Sequence, residues 1–132
     1  MKKFTEEYHE FLKTHSYKTV TVSGGNFQVI DSGSGDQTLV FLNGVDMHQT
    51  WIKYMSALEK DHRVVMMKYP TDIYTNDEMA DALHELFAKL GISSPILFGI
   101  SDGGILGQLY AKKYKAGGLI MVSTLTVDSA YV

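Results

Sequence analysis

Leu97-Phe98-Gly99-Ile100-Ser101-Asp102-Gly103-Gly104 is the stretch whose reading decides the fold. An apolar run, Pro95 to Ile100, reaches a G-x-S-x-G pattern. The residues Ile105, Leu106, Leu109, Tyr110 and Tyr114 then recur at helical spacing. A serine caught on so sharp a strand-to-helix turn is pushed out of the sheet with its hydroxyl exposed. Gly99 and Gly103 flank it because a side chain at either place would collide within the turn. The helix that follows directs unpaired amides toward the serine. Ser101 is therefore the candidate nucleophile, and it is expected to have positive φ, a costly conformation for a residue with a side chain.

Working outward, the segments on either side alternate in type. Phe4, Tyr8, Phe11 and Leu12 predict a short opening helix within residues 1–16. Tyr17 to Val22 and Phe27 to Asp31 predict a hairpin around Ser23-Gly24-Gly25-Asn26. Thr38 to Leu42 is a short apolar run of the fully buried kind, ended by Asn43-Gly44. A helix carrying Trp51, Met55 and Leu58 and a strand from Arg63 to Lys68 follow. Thr75-Asn76-Asp77-Glu78 is a capping box opening a helix with Met79, Leu83, Leu86, Phe87 and Leu90 on one face, and Gly91 marks its end. Gly117-Gly118 breaks the helix after the serine, and Leu119 to Ser123 is the last strand. The strand-helix alternation predicts an α/β fold. It would be a three-layer sandwich with a mostly parallel sheet of about six strands and an N-terminal hairpin. One domain is expected over residues 1–132, with the core in 17–132.

Composition narrows the function classes. The formal net charge is −3 and no basic block occurs, which argues against nucleic acid as a partner. Cysteine is absent, so there is no disulfide, thiolate metal site or cysteine nucleophile. The start, Met1-Lys2-Lys3-Phe4-Thr5-Glu6-Glu7-Tyr8, has no apolar run behind it, so neither signal peptide nor membrane span is expected and the cytoplasm is the default location.

Acyl transfer by Ser101 needs amide donors for an oxyanion. One is the backbone of Asp102, and the others lie after the strand ending at Leu42, at Gly44 and Val45. Among the five histidines, His9, His15, His62 and His84 read as surface or packing residues. His48, just beyond the oxyanion loop, is the one candidate base. Asp46 and Asp72 read as loop carboxylates, and Asp46 with His48 falls short of a metal set. Met66-Met67 and the methionines at 47, 55, 79 and 121 read as core filler, so no cofactor and no metal are expected.

Three segments stand together here. They are Leu39-Val40-Phe41-Leu42-Asn43-Gly44 with Trp51 downstream, the elbow Gly99-Ile100-Ser101-Asp102-Gly103-Gly104, and Gly118-Leu119-Ile120-Met121-Val122-Ser123. In order and spacing they resemble the N-terminal half of an α/β-hydrolase, from roughly Val20 to Ser123. Tyr69-Pro70-Thr71-Asp72, Glu78 and Ser123-Thr124-Leu125-Thr126-Val127-Asp128 are similar to the maspardin-like branch. Asn43-Gly44 stands where the family has His-Gly, and Tyr69-Pro70-Thr71-Asp72 where it has a glycine-rich loop.

The resemblance implies serine esterase or acyl hydrolase chemistry on a small ester or acyl substrate. It also implies that the catalytic acid and histidine follow later strands, so this chain is expected to be weak or inactive alone. A non-catalytic binding or assembly module is the competing reading, and a fragment of a longer hydrolase is a third. The strand Leu119 to Ser123 would be an open edge, and the tail adds Leu125, Val127, Tyr131 and Val132, so a homo-oligomer is expected.

Overall fold

Strands with side chains alternating between two apolar faces require cover on both sides, and the chain provides it. The structure, a computed structural model, describes residues 3–44 and 47–127. In chain order the elements are α1 (Phe4–Thr14), β1 (Lys18–Val22), β2 (Gly25–Ser32), β3 (Thr38–Leu42), a 3-10 turn (His48–Trp51), α2 (Ile52–Leu58) and β4 (Arg63–Lys68). Next come α3 (Asn76–Leu90), β5 (Ile96–Ile100), α4 (Asp102–Lys113) and β6 (Gly118–Val122).

The strands form one six-stranded sheet in the order β1-β2-β4-β3-β5-β6. It is mixed. The run β4-β3-β5-β6 is parallel, while the β1–β2 hairpin joins it antiparallel, with Val29 opposite Met67 and Ile30 opposite Met66. The expected hairpin and six strands are therefore present.

The two-residue period of the strands divides the core. Leu39 and Phe41 of β3 and Val64 and Met66 of β4 point to the side covered by α1 and α2, where they meet Phe11, Trp51, Ile52 and Met55. Val40, Leu42, Val65 and Met67 point to the other side, against Met79, Leu83, Leu86 and Phe87 of α3 and Leu106 and Tyr110 of α4. Phe41 stacks on Trp51 with ring centroids 4.9 Å apart. This gives the three layers read from the sequence.

Two expectations about side chains need correction. Met55, Met66, Met67 and Met79 are buried, but Met47 and Met121 are exposed. Met121 is exposed because β6 is the sheet's outer strand, so no further strand or helix covers it among the described residues. Phe4 is also exposed, leaving Phe11 as the buried anchor of α1. Among the described residues no helix is long and apolar enough to cross a membrane, and no cluster of three or more His, Asp or Glu side chains could hold a metal.

Candidate active site

The site is made where β5 turns into α4. Ser101 has φ 54° and ψ −125°, in the left-handed half of the backbone map where a Cβ is costly. The turn is tight because its flanks carry no side chains. A Cβ on Gly99 would lie 2.6 Å from the Gly103 carbonyl oxygen, and one on Gly103 would overlap the Leu42 carbonyl. The second restriction presses the start of α4 against the end of β3. Ser101 is left exposed at the crest, with buried Gly103 and Gly104 behind it.

Backbone bonds fix the crest from below. The Ser101 amide donates to the Val122 carbonyl at 3.1 Å, and the Ser101 carbonyl accepts from the Gly104 amide at 2.9 Å. Asp102 is the first residue of α4, where a carboxylate favours the positive end of the helix dipole.

The end of β3 brings the second half of the site. A Cβ placed on Gly44 would stand 3.7 Å from the Ser101 Cβ and 3.9 Å from its Oγ, so the glycine backbone faces the serine directly. Asn43, only 2% exposed, holds this turn. Its Nδ2 donates to the Gly44 carbonyl at 2.8 Å, and the Tyr69 hydroxyl donates to the Asn43 carbonyl at 2.9 Å. Both carbonyls are thereby tied back. Burial raises the Tyr69 phenol well above its ordinary value, and the Asp102 carboxylate adds to the rise. Tyr69 is thus held as a neutral donor. Val45 and Asp46 lie outside the described residues.

A cavity of about 250 Å³ runs between Asn43, Gly44, Tyr69, Asn76, Met79 and Asp102. On the other side of the elbow a cavity of about 320 Å³ is lined by Ser101, Asp102, Ile105, Ser123, Thr124 and Leu125. The nucleophile candidate therefore stands between two hollows, one under the β3 loop and one under the chain leaving β6.

His48 stands elsewhere. It opens the 3-10 turn, and its Nε2 is 2.8 Å from the Tyr17 hydroxyl, which in turn is 2.6 Å from the Tyr8 hydroxyl. Burial, followed by the neighbouring Tyr8 hydroxyl, raises the Tyr17 phenol. His48 lines a cavity with Asn43, Lys68, Tyr69 and Pro70, not the one that holds Ser101. The other histidines occupy packing or surface positions. His15 bonds Glu59 at 2.7 Å, His84 stacks on Tyr114 at 3.8 Å, and His9 is exposed. Asp72 sits on a separate acidic rim with Glu78, Asp81 and Glu85. Among the described residues Ser101 Oγ makes no hydrogen bond.

The sequence reading did not single out Tyr69, Thr124 or Gln108 as parts of the site. Tyr69 had one signal, its place just after a parallel strand. Thr124 reaches the Ser101 carbonyl, and Gln108 reaches Leu125 and Val127, across sequence separations that local pattern does not reveal.

No protein-family model matches the chain, and no curated protein sequence matches it. Solved structures do. The chain is similar to the N-acyl homoserine lactonase AidH in complex with N-butanoyl homoserine, at 25% identity and TM-score 0.75, over 85% of this chain and 46% of that one. It is similar to a membrane phospholipase A described as a bacterial virulence factor, at 20% identity and TM-score 0.82, over 95% and 45%. It is also similar to a provisionally assigned lipase of Acinetobacter baumannii AYE, at 18% identity and TM-score 0.81, over 98% and 49%. The chain has the fold of the N-terminal portion of α/β-hydrolases, and it spans about half the length of the solved structures it matches.

Proposed function

We propose that this chain carries the nucleophile-bearing half of a serine acyl hydrolase. The observation that carries the reading is Ser101 at φ 54° on the β5–α4 elbow with the Gly44 backbone against it. In that reaction the Ser101 Oγ forms a bond to an ester or acyl carbonyl carbon, and its proton passes to a general base. The carbonyl oxygen becomes an oxyanion held by backbone amides at Asp102 and in the Gly44–Val45 turn; the leaving group departs with the proton from the base as the carbonyl re-forms, and water then cleaves the acyl-serine to free Ser101. A lactonase among the structural relatives makes lactones sensible test substrates beside open esters.

A base is the part that the described residues do not bring to Ser101. Serine is a weak nucleophile without one, and the described residues offer Ser101 Oγ no partner. His48 is the internal candidate and would have to leave Tyr17 to serve. The isolated chain should therefore turn over p-nitrophenyl acetate only weakly, since a site lacking triad members keeps about a thousand- to ten-thousand-fold over water from oxyanion binding alone. The site needs no cofactor or metal for this chemistry.

A fluorophosphonate probe tests the reading directly. Labelling of wild type that disappears in Ser101→Ala supports a charged, enzyme-like site. Labelling is expected to be slow without a base, and a serine in a folded chain that stays unmarked even after long exposure to excess probe favours the alternative, a binding or assembly module that retains the fold. Either reading is compatible with self-association, which we propose because β6 is an edge strand of the sheet among the described residues.

A further inference from the structure

We propose that Thr124 and Gln108 are positioning residues that brace the Ser101 elbow from the chain leaving β6. The inference rests on Ser101 being the nucleophile and adds what holds it in place. Two non-glycine residues among those described have positive φ, Ser101 at 54° and Ser123 at 49°, and each is the residue that follows its strand just past the Ile100–Val122 pair. Ser123 is the residue at which the chain turns off β6. That turn brings Thr124 back over the elbow, where its hydroxyl donates to the Ser101 carbonyl at 2.6 Å. With the Ser101 amide bonded to the Val122 carbonyl, both backbone groups of the strained residue are gripped by the same exit segment.

The fit is close. A Cβ on Gly104 would stand 2.5 Å from three atoms of the Thr124 side chain, so the glycine after the motif is the space into which Thr124 packs. One helical turn on, Gln108 clamps the segment that follows. Its Nε2 donates to the Leu125 carbonyl at 2.7 Å and to the Gly104 carbonyl at 3.1 Å, while its Oε1 accepts from the Val127 amide at 2.8 Å. A single amide side chain thus reads both sides of the backbone across 125–127 and fastens it to α4. The clamped segment forms one wall of the 320 Å³ cavity beside Ser101, with Ile105 and Leu125 as its apolar lining.

Strained backbone persists only where surrounding structure over-determines it, and these bonds are that determination at Ser101. Loss of the brace lets the elbow relax, and small misplacement of a reacting atom is costly in rate. Thr124 acts on the reaction through the Ser101 carbonyl that it holds, and Gln108 through the chain that carries Thr124.

The test measures two quantities on the full chain: the rate of Ser101 labelling by a fluorophosphonate, and amide hydrogen exchange over residues 99–106. Thr124→Val keeps the shape and removes the hydroxyl. It should slow labelling about tenfold, the scale of one net hydrogen bond, and speed exchange at the elbow. Thr124→Ser should restore both, and Gln108→Ala should move both in the direction of Thr124→Val by a smaller factor. Unchanged labelling and exchange in Thr124→Val overturn the proposal. So does an equal loss in Thr124→Ser, which would assign the effect to the methyl group. A wild-type chain that never labels, yet whose elbow exchange rises with Val and not with Ser, overturns the nucleophile reading and leaves the brace standing.

Discussion

Ser101 holds a conformation that suits glycine, and the cost is borne by the fold around it. Replacing it tests the strain apart from the chemistry. Ser101→Gly should raise the stability of the chain by about 1 kcal/mol, the strain relieved less the entropy glycine gains when unfolded. The same variant should lose all fluorophosphonate labelling. Thermal melting and labelling measured side by side check both halves, and a lower melting temperature would speak against strain.

A second residue-scale expectation concerns acid. Burial alone would raise the Asp31 carboxyl, but hydrogen bonds and charge from Arg63, with Lys18 beyond, hold it below the ordinary 3.8. Arg63 grips both carboxylate oxygens, at 2.9 and 2.7 Å, and also donates to the Leu90 carbonyl. A depressed carboxylate stabilises the fold above its unfolded pKa, and that contribution is lost as pH falls through the folded value. Asp31→Asn should therefore be less stable than wild type near neutrality, with the gap closing as pH falls below about 4. Denaturant midpoints across that range measure it, and a gap constant with pH would contradict it.

At the scale of elements, α3 shows how local chemistry places a site. Its N-cap Thr75 accepts a hydrogen bond from the Glu78 amide, Asp77 and Glu78 occupy its first turn, and Gly91 closes it at φ 71°. These signals start the helix at Asn76, on the rim of the cavity beside Gly44. Thr75→Ala should cost about 1 kcal/mol in stability. Gly91→Ala should cost a similar amount, about 1 kcal/mol, from backbone strain alone, since nothing stands within 4 Å of an added Cβ. Chemical denaturation of the two variants checks both. A loss much larger at Gly91 than at Thr75 would contradict the strain-only account.

Across the whole molecule the two edges of the sheet differ. β1 shows Lys18, Thr19 and Thr21 to solvent, the kind of polar, charged edge that resists pairing. β6 has no charge, and Ile120, Met121 and Val122 are 45, 46 and 47% exposed, with Leu125 exposed beyond them. A second copy of the chain pairing along β6 would satisfy that edge and cover those side chains in one isologous contact. Light scattering at micromolar concentration should give a dimer or larger species, and Ile120→Lys should shift it toward monomer. A wild-type monomer would end the proposal. The expected contribution of Tyr131 and Val132 to such an interface falls outside the described residues.

The sequence determined what depends on neighbours close in the chain. Apolar alternation set the strands and helical spacing set the helices. Thr75 and Gly91 bounded α3, and Gly99, Ser101 and Gly103 specified the elbow, because a crowded turn leaves few residue types able to occupy it. Gly44 was legible too, through its place at the end of a buried strand. Only the tertiary structure decided the rest. That Tyr69 holds the Asn43 carbonyl beside Ser101, that Thr124 holds the elbow and Gln108 the chain at Leu125 and Val127, and that His48 turns to Tyr17 are pairings across long stretches of chain. The exposure of Met121 follows from where β6 falls in the sheet, a matter of strand order and not of its own residues. Local pattern reports the conformation a segment prefers, while partners distant in sequence are selected by packing, and packing is settled only when the sheet assembles.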